Sequence, residues 1–332
     1  MSASKKAASY GLVLLFIILL NFWLPRLLPG GPVDYITGGG AEGAVFLTEA
    51  QKAAMLEYYK LNASLGEQFR QYMKGIATFE FGLSVGQKAP VYEVILARLP
   101  WTLLIVGLAS LLSIVIGLLA GLYSAWKHPG RTDRGLFLSM LGISSIPEFL
   151  IGMTLLIALA AKLGWFPLSG ARTAFLRSDS SWEAALDVLR HAALPALTLT
   201  LSSLAGLYLL MRNEALRVRE EPYIEFAAAK GASSRVIVFR HIARNASLPL
   251  VTLIMIRMGM LIAGSILVET VFAYPGIGKL LQEAILGRDY PLLHGLFLLI
   301  TLFVLLLNLI GDLLYPYLDP RIRKAENSGV SG

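Results

Sequence analysis

"EPYIEFAAAKGASSRVIVFRHIARNASLPL", residues 221–250, lies between two long hydrophobic stretches of the chain. Pro222 suits a first helical position, where its missing N–H costs nothing. Glu220 and Glu221 complement the positive end of a helix dipole, and Gly231 supplies a stop. The pattern therefore predicts a short helix between Pro222 and Gly231. Tyr223 and Phe226 are its bulky contacts, while Ala227, Ala228 and Ala229 permit close approach. A second start at Ser233 or Ser234 then feeds "RVIVFRHIARN" into the next hydrophobic span. A helix this small in its side chains has little of its own to bury. It is either a plain connector or half of a contact completed by another molecule, and composition leaves both open.

The surroundings place this segment at a membrane. Of 332 residues, 56% are hydrophobic and 15% charged, with a mean hydropathy of +0.65. Soluble domains run at roughly 45–50% apolar and about 25% charged. The net charge of +7 does not point to nucleic acid, because Lys and Arg mostly lie between hydrophobic spans, where they set topology. Cysteine is absent, which excludes disulfides, thiolate metal sites and thiol nucleophiles.

A spanning helix needs about 20 mainly apolar residues, and six segments qualify: 10–28, 99–124, 135–162, 192–212, 248–271 and 292–316. The first is longer than a signal-peptide core of about 7–15 residues and no small-residue cleavage site follows, so it reads as a retained helix. Lys5 and Lys6, then Lys127, Arg131 and Arg134, then the basic loop from Arg212 to Arg244, then Arg321, Arg323 and Lys324 fall on one side of six spans. The positive-inside rule makes that side cytoplasmic, with both termini inside.

Residues 30–93 form the longest outer segment. Two capping-box starts are visible there, "TEAQ" at 48–51 and "SLGE" at 64–67. With Met55, Leu56, Tyr58, Tyr59, Phe69 and Tyr72 nearby, the segment reads as a small helical subdomain rather than a slack loop. "GLLAG" at 117–121 is a small-xxx-small pair that suits close helix packing. "GISSIPEF" at 142–149 predicts a kink or local unwinding, and Pro195 and Pro249 stand near the starts of their spans. Glu148 and Arg257, counted at about 1.5 Å per residue, both fall near the middle of the membrane. Such charges pair or face a polar cavity. A translocation path and an interhelical lock are the two readings.

No catalytic constellation appears: there is no H-E-x-x-H or G-x-S-x-G, and the four histidines are scattered. "PGIGK" at 275–279 is similar to the end of a phosphate-binding loop. It lacks the upstream glycine, and Leu280 stands where Ser or Thr would hold magnesium.

The spacing Glu225-x-Ala227…Gly231, with Leu248-Pro249 downstream, resembles the EAA loop of ABC importer permeases, with Phe226 where the motif's name has Ala. The late Leu-Pro is similar to the dipeptide, oligopeptide and nickel branch. So are "FGLS" at 81–84, "RLPWTLL" at 98–104, "LGWFPLSG" at 163–170, "RHAALPALTL" at 190–199, "VETVFAYPGIGKLL" at 268–281, "RDYPLLHG" at 288–295 and "DPRIR" at 319–323. Glu148 and Arg257 depart from that branch, which more often has neutral polar residues there.

The resemblance implies an all-α membrane protein of six transmembrane helices with the type I (MetI-like) ABC importer permease fold. A helical extracytoplasmic insertion would separate helices 1 and 2. Residues 1–29 would be the cytoplasmic tail and first span, 30–93 the insertion, 94–316 the permease domain with its coupling loop at 213–247, and 317–332 a cytoplasmic tail. It implies a subunit of the bacterial inner membrane that carries di- or oligopeptides, or alternatively nickel or a metal chelate. The partners implied are a homologous second permease, two cytoplasmic ABC ATPases that bind the ATP and magnesium, and an extracytoplasmic solute-binding protein. No cofactor belongs to this chain. Tyr223, Glu225, Phe226, Ala227, Ala228 and Gly231 would form the ATPase-coupling helix. A self-sufficient secondary transporter or channel, the rival class, calls for an inverted repeat that the sequence does not show.

Overall fold

The computed structural model describes residues 3–27, 48, 62–174 and 180–318, with the backbone alone for 3–7, 252, 260–264 and 314–318. Among the described residues ten helices carry the fold in chain order: α1 (Ala3–Trp23), α2 (Leu65–Thr78), α3 (Val91–Trp126), α4 (Arg131–Ser144), α5 (Glu148–Leu155), α6 (Ser181–Arg219), α7 (Pro222–Ala229), α8 (Leu248–Val271), α9 (Ile277–Leu286) and α10 (Tyr290–Leu318). Shorter pieces join them: a 3-10 turn Leu24–Leu27 after α1, a π-helical extension Leu156–Lys162 after α5, and a π-helical stretch Ile237–Ala243 between α7 and α8. Among the described residues the only β pairing is one isolated bridge between Leu83 and Pro90.

Among the described residues four helical stretches are long and apolar enough to cross a bilayer: Ala8–Leu27, Val91–Trp126, Ser181–Arg219 and Tyr290–Leu313. α4 and the stretch Glu148–Lys162 meet the same length and composition only when taken together, with a bend of 98° between them. α8, at 24 residues, is about 36 Å long at 1.5 Å per residue. The break between α4 and α5 falls at Ser145–Pro147, within "GISSIPEF", where Pro147 has no N–H to donate and caps α5. Two boundaries differ from the hydropathy reading. α3 starts at Val91 and α6 at Ser181, so Pro100 and Pro195 lie inside helices rather than at their starts. Hydropathy marks only the apolar part of a helix whose more polar turns continue beyond it.

The chain divides into two compact units, 1–102 with 275–305, and 103–274 with 306–332. In the first unit, Ile18 and Phe22 of α1 pack with Tyr72 of α2 and Leu298 of α10. Phe69 meets Phe22 edge-on at 5.0 Å, and the Tyr72 hydroxyl donates to Ile18 O at 3.1 Å. Arg26 reaches across, donating to Gln68 Oε1 at 2.8 Å with its guanidinium 3.7 Å from the Phe22 ring centre. Ser64 caps α2 as expected, accepting from Glu67 N at 3.3 Å. The Glu67 carboxylate accepts from Arg70 Nε at 2.8 Å. "TEAQ", the aromatic cluster at 55–59 and "DPRIR" lie outside the described residues.

In the second unit α6 is the hub, packed by α4, α5 and α8. α3 joins it through the glycines of "GLLAG". A Cβ on Gly117 would stand 2.9 Å from Leu207 Cβ, and one on Gly121 would stand 2.7 Å from Tyr208 O. The pair therefore serves close helix packing.

Several of the quoted motifs meet one another within a unit. Asp289 of "RDYPLLHG", 2% exposed, accepts from Ser84 Oγ of "FGLS" at 2.5 Å and from Gly86 N at 2.9 Å. Thr102 Oγ1 of "RLPWTLL" accepts from Ile277 N of "PGIGK" at 2.7 Å. Gly170 N of "LGWFPLSG" donates to Phe272 O at 3.0 Å.

Candidate functional site

The helix α7 forms as its residues dictate. Pro222 occupies the first turn, Glu221 is the N-cap, and Gly231 adopts φ +84°, the left-handed region that glycine enters without a steric penalty. Gly231 N donates to Ala228 O at 2.9 Å and Ala232 N to Ala227 O at 3.2 Å, closing the last turn. The chain then reverses, with Ser233 as the next N-cap.

α7 is held from one side only. Ile224 is 6% exposed and sits in an apolar cluster with Leu122, Ala125, Met211, Ala215, Val218, Ile237 and Ile242. Ala227 is half-buried. The opposite face carries Phe226, 60% exposed, and Tyr223, 40% exposed, with Glu225, Ala228 and Ala229 also open. The Tyr223 hydroxyl accepts from Asn245 Nδ2 at 3.1 Å, which fixes that ring. Lys230 Nζ lies 4.4 Å from the Phe226 ring centre. Phe239, 59% exposed, adds a third aromatic from the following π-helical stretch. The buried side of α7 thus rests on Ile224, while its other side leaves two aromatics and two alanines exposed. The sequence singles out Tyr223, Glu225, Phe226 and Ala228 of the exposed side, but neither Phe239 nor the buried Ile224. That anchor is defined by residues 237–250 folding back, a signal no local pattern contains.

Glu148 and Arg257 do not form an ion pair with each other. Glu148, in the first turn of α5, lies beside Ser202 of α6. Arg257 lies on Gly206, where a Cβ would stand 2.7 Å from its Nη2. Both charges thus meet α6 at positions four residues apart, neighbours on one face of the helix. The 98° bend also means that Glu148's depth cannot be counted along a straight span.

"PGIGK" is a structural helix start. Gly276 caps α9, and Ile277, Gly278, Leu280 and Leu281 are all buried. Among the described residues no three His, Asp or Glu side chains gather as a metal site.

Residues 113–324 match the family described as the binding-protein-dependent transport system inner membrane component. The chain is similar to the oligopeptide transport system permease protein AppB of Bacillus subtilis, at 34% identity over 93% of this chain and 95% of that protein. It is similar also to the di/tripeptide transport system permease protein DppB of Pseudomonas aeruginosa, at 35% identity over 92% and 94%. Its fold is similar to that of a chain of the MetNI methionine ABC transporter in inward-facing conformations, with a TM-score of 0.56 and 18% identity over 68% of this chain and 96% of that one. Helices that span, motifs that meet one another and relatives that match end to end agree: the chain is a multi-pass membrane protein of the family of binding-protein-dependent transport system inner membrane components.

Proposed function

We propose that this chain is one permease subunit of an ATP-driven importer of di- or oligopeptides, and that α7 is its docking helix for a cytoplasmic ATPase. The names of the similar permeases support the substrate class. The observation that carries the docking role is the one-sided burial of α7, with Ile224 anchored and Tyr223, Phe226 and Ala228 left open. In this reading Glu225 and Gly231 complete the coupling surface, ATP and magnesium belong to two ATPase subunits, and a second permease closes the pathway. A solute-binding protein delivers substrate from outside, and both termini and α7 face the cytoplasm. Glu148 and Arg257 then belong to the pathway. Two intramembrane charges that do not neutralise one another need polar surroundings rather than lipid.

The test is reconstitution with the partner subunits. The chain alone is expected to hydrolyse no ATP. Ala228→Trp adds bulk to the open face without touching the Ile224 anchor. It is expected to leave insertion and pairing with the second permease normal while weakening ATPase co-purification. Parent-like ATPase binding and peptide uptake by this variant would reduce α7 to a connector. Uptake of nickel or a chelate, with none of peptides, would reassign the cargo.

A further inference from the structure

One carboxylate ties together three helices and a turn beside the docking helix. Asp133, in the first turn of α4, is 4% exposed. Arg212 of α6 donates to it twice, Nε to Oδ1 at 2.6 Å and Nη2 to Oδ2 at 2.8 Å. Ser124 Oγ of α3 donates to Oδ1 at 2.6 Å, and His128 Nδ1 of the α3–α4 turn lies 2.8 Å from Oδ2. Ser124 Oγ is also 2.6 Å from the Tyr208 hydroxyl of α6. The Phe137 ring lies 5.2 Å from the Arg212 guanidinium. A forked, two-bond contact fixes orientation as well as separation.

This clamp is continuous with the mounting of α7. Seven residues beyond Arg212, α6 ends in Arg219, whose Nη1 donates to Ala125 O at 3.0 Å and His128 O at 2.9 Å. Ala125 O, in the last turn of α3, also accepts from His128 N at 3.3 Å, so Arg219 joins the end of α3 to the turn that follows it. Pro222 starts α7 three residues later, and its anchor Ile224 packs on Leu122, Ala125, Met211, Ala215 and Val218 of the same α3 and α6 ends. Relative to a well-packed apolar replacement, a buried ion pair adds little stability. What this one supplies is a single fixed geometry for α3, α4 and α6 where α7 is mounted.

We propose that Asp133 and Arg212 are positioning residues for energy coupling: they join the α3–α4 turn and the end of α6 into one lever. Displacement of α7 is thereby passed to α4 and on to the broken span, instead of being absorbed by the loops. The inference rests on α7 being the docking helix.

The test compares parent, Asp133→Asn, Arg212→Met and Arg212→Lys in the full reconstituted complex with its ATPases and binding protein. Assembled complex, stimulated ATP hydrolysis per complex and peptide moved per ATP are measured for each. Asp133→Asn and Arg212→Met are expected to assemble and hydrolyse ATP, with peptide moved per ATP down about tenfold, within the usual range for coupling between sites. Arg212→Lys keeps the charge and loses the fork, and is expected to fall between. Glu214→Gln removes an exposed ion pair with Arg217 in the same helix and is expected to match the parent. If Arg212→Met fails to assemble, Arg212→Lys decides the matter by the same ratio. A parent-like ratio in the assembled variants overturns the inference and leaves the clamp as scaffolding only. A parent complex whose hydrolysis ignores the loaded binding protein defeats the importer reading itself.

Discussion

Two glycines on either side of the α7 mount act through opposite physics. Gly231 has φ +84° and no heavy atom within 4 Å of where a Cβ would be added, so what it provides is conformation. Gly231→Ala is expected to cost about 1 kcal/mol of left-handed strain and to weaken ATPase co-purification. Gly231→Asn, which tolerates that region, should recover most of it. Gly121 has an ordinary backbone but no room: a Cβ would lie 2.7 Å from Tyr208 O and 2.8 Å from Met211 Cβ. Gly121→Ala is expected to push α3 from α6 and destabilise by about 1–3 kcal/mol, read as a lowered melting temperature of the purified subunit. If Gly231→Asn is as impaired as Gly231→Ala, the conformational account fails. Gly231 was legible as a stop because helix ends have a local chemistry. Gly121 was legible as a packing residue from its spacing. Neither signal named the residues pressed against them.

At the level of elements, α2 shows what local pattern can and cannot supply. Its start at Ser64 was readable, because an N-cap is written within four residues. Its docking on α1 was not, because it depends on Tyr72 finding Ile18 O across 54 residues. Burial pushes the Tyr72 hydroxyl up to about 12 from its ordinary value near 10. A group whose folded pKa is raised keeps its full contribution below the unfolded value and loses it as pH rises toward the folded one. The α1–α2 contact is therefore expected to hold up to about pH 10 and to loosen between there and about pH 12. Limited proteolysis of α2 across that window measures it. Tyr72→Phe should flatten the dependence, and an unchanged profile in that variant would assign the loosening elsewhere. The bend between α4 and α5 was legible from Pro147 and its neighbours, but its 98° was not. Proline ends a helix locally, whereas the angle is set by what both halves pack against. Glu148 and Arg257 illustrate the same limit: a charge within an apolar stretch could be read at each, their separate positions against α6 could not.

Over the whole molecule, the motifs that signalled the family are to a large extent its joints. Asp289 draws donors from Ser84 Oγ and Gly86 N and also accepts from Leu292 N at 3.2 Å, at the start of α10. Asp289→Asn would turn an amide N–H₂ toward a backbone N–H of Gly86 or Leu292, each of which can only donate. It is expected to cost about 1–3 kcal/mol, seen as a fall in the melting temperature and faster cleavage of residues 82–90. A parent-like melting curve would remove Asp289 from this role. The overall class of fold was open to sequence reading because span length and charge placement follow from the bilayer itself. The two interleaved units were not, because each is assembled from stretches far apart in the chain.

That interleaving sets a timetable for biosynthesis. Ser84 and Asp289 are 205 residues apart, so at 5–20 residues per second the ribosome takes roughly 10–40 s to deliver the acceptor after the donor. For most of that interval the chain being made is residues 103–274, which belong to the second unit, and the first unit still lacks residues 275–305. The earliest-made part of the chain is thus among the last to be finished. Until then it relies on the insertion machinery and the lipid around it to keep its unpaired groups from other partners.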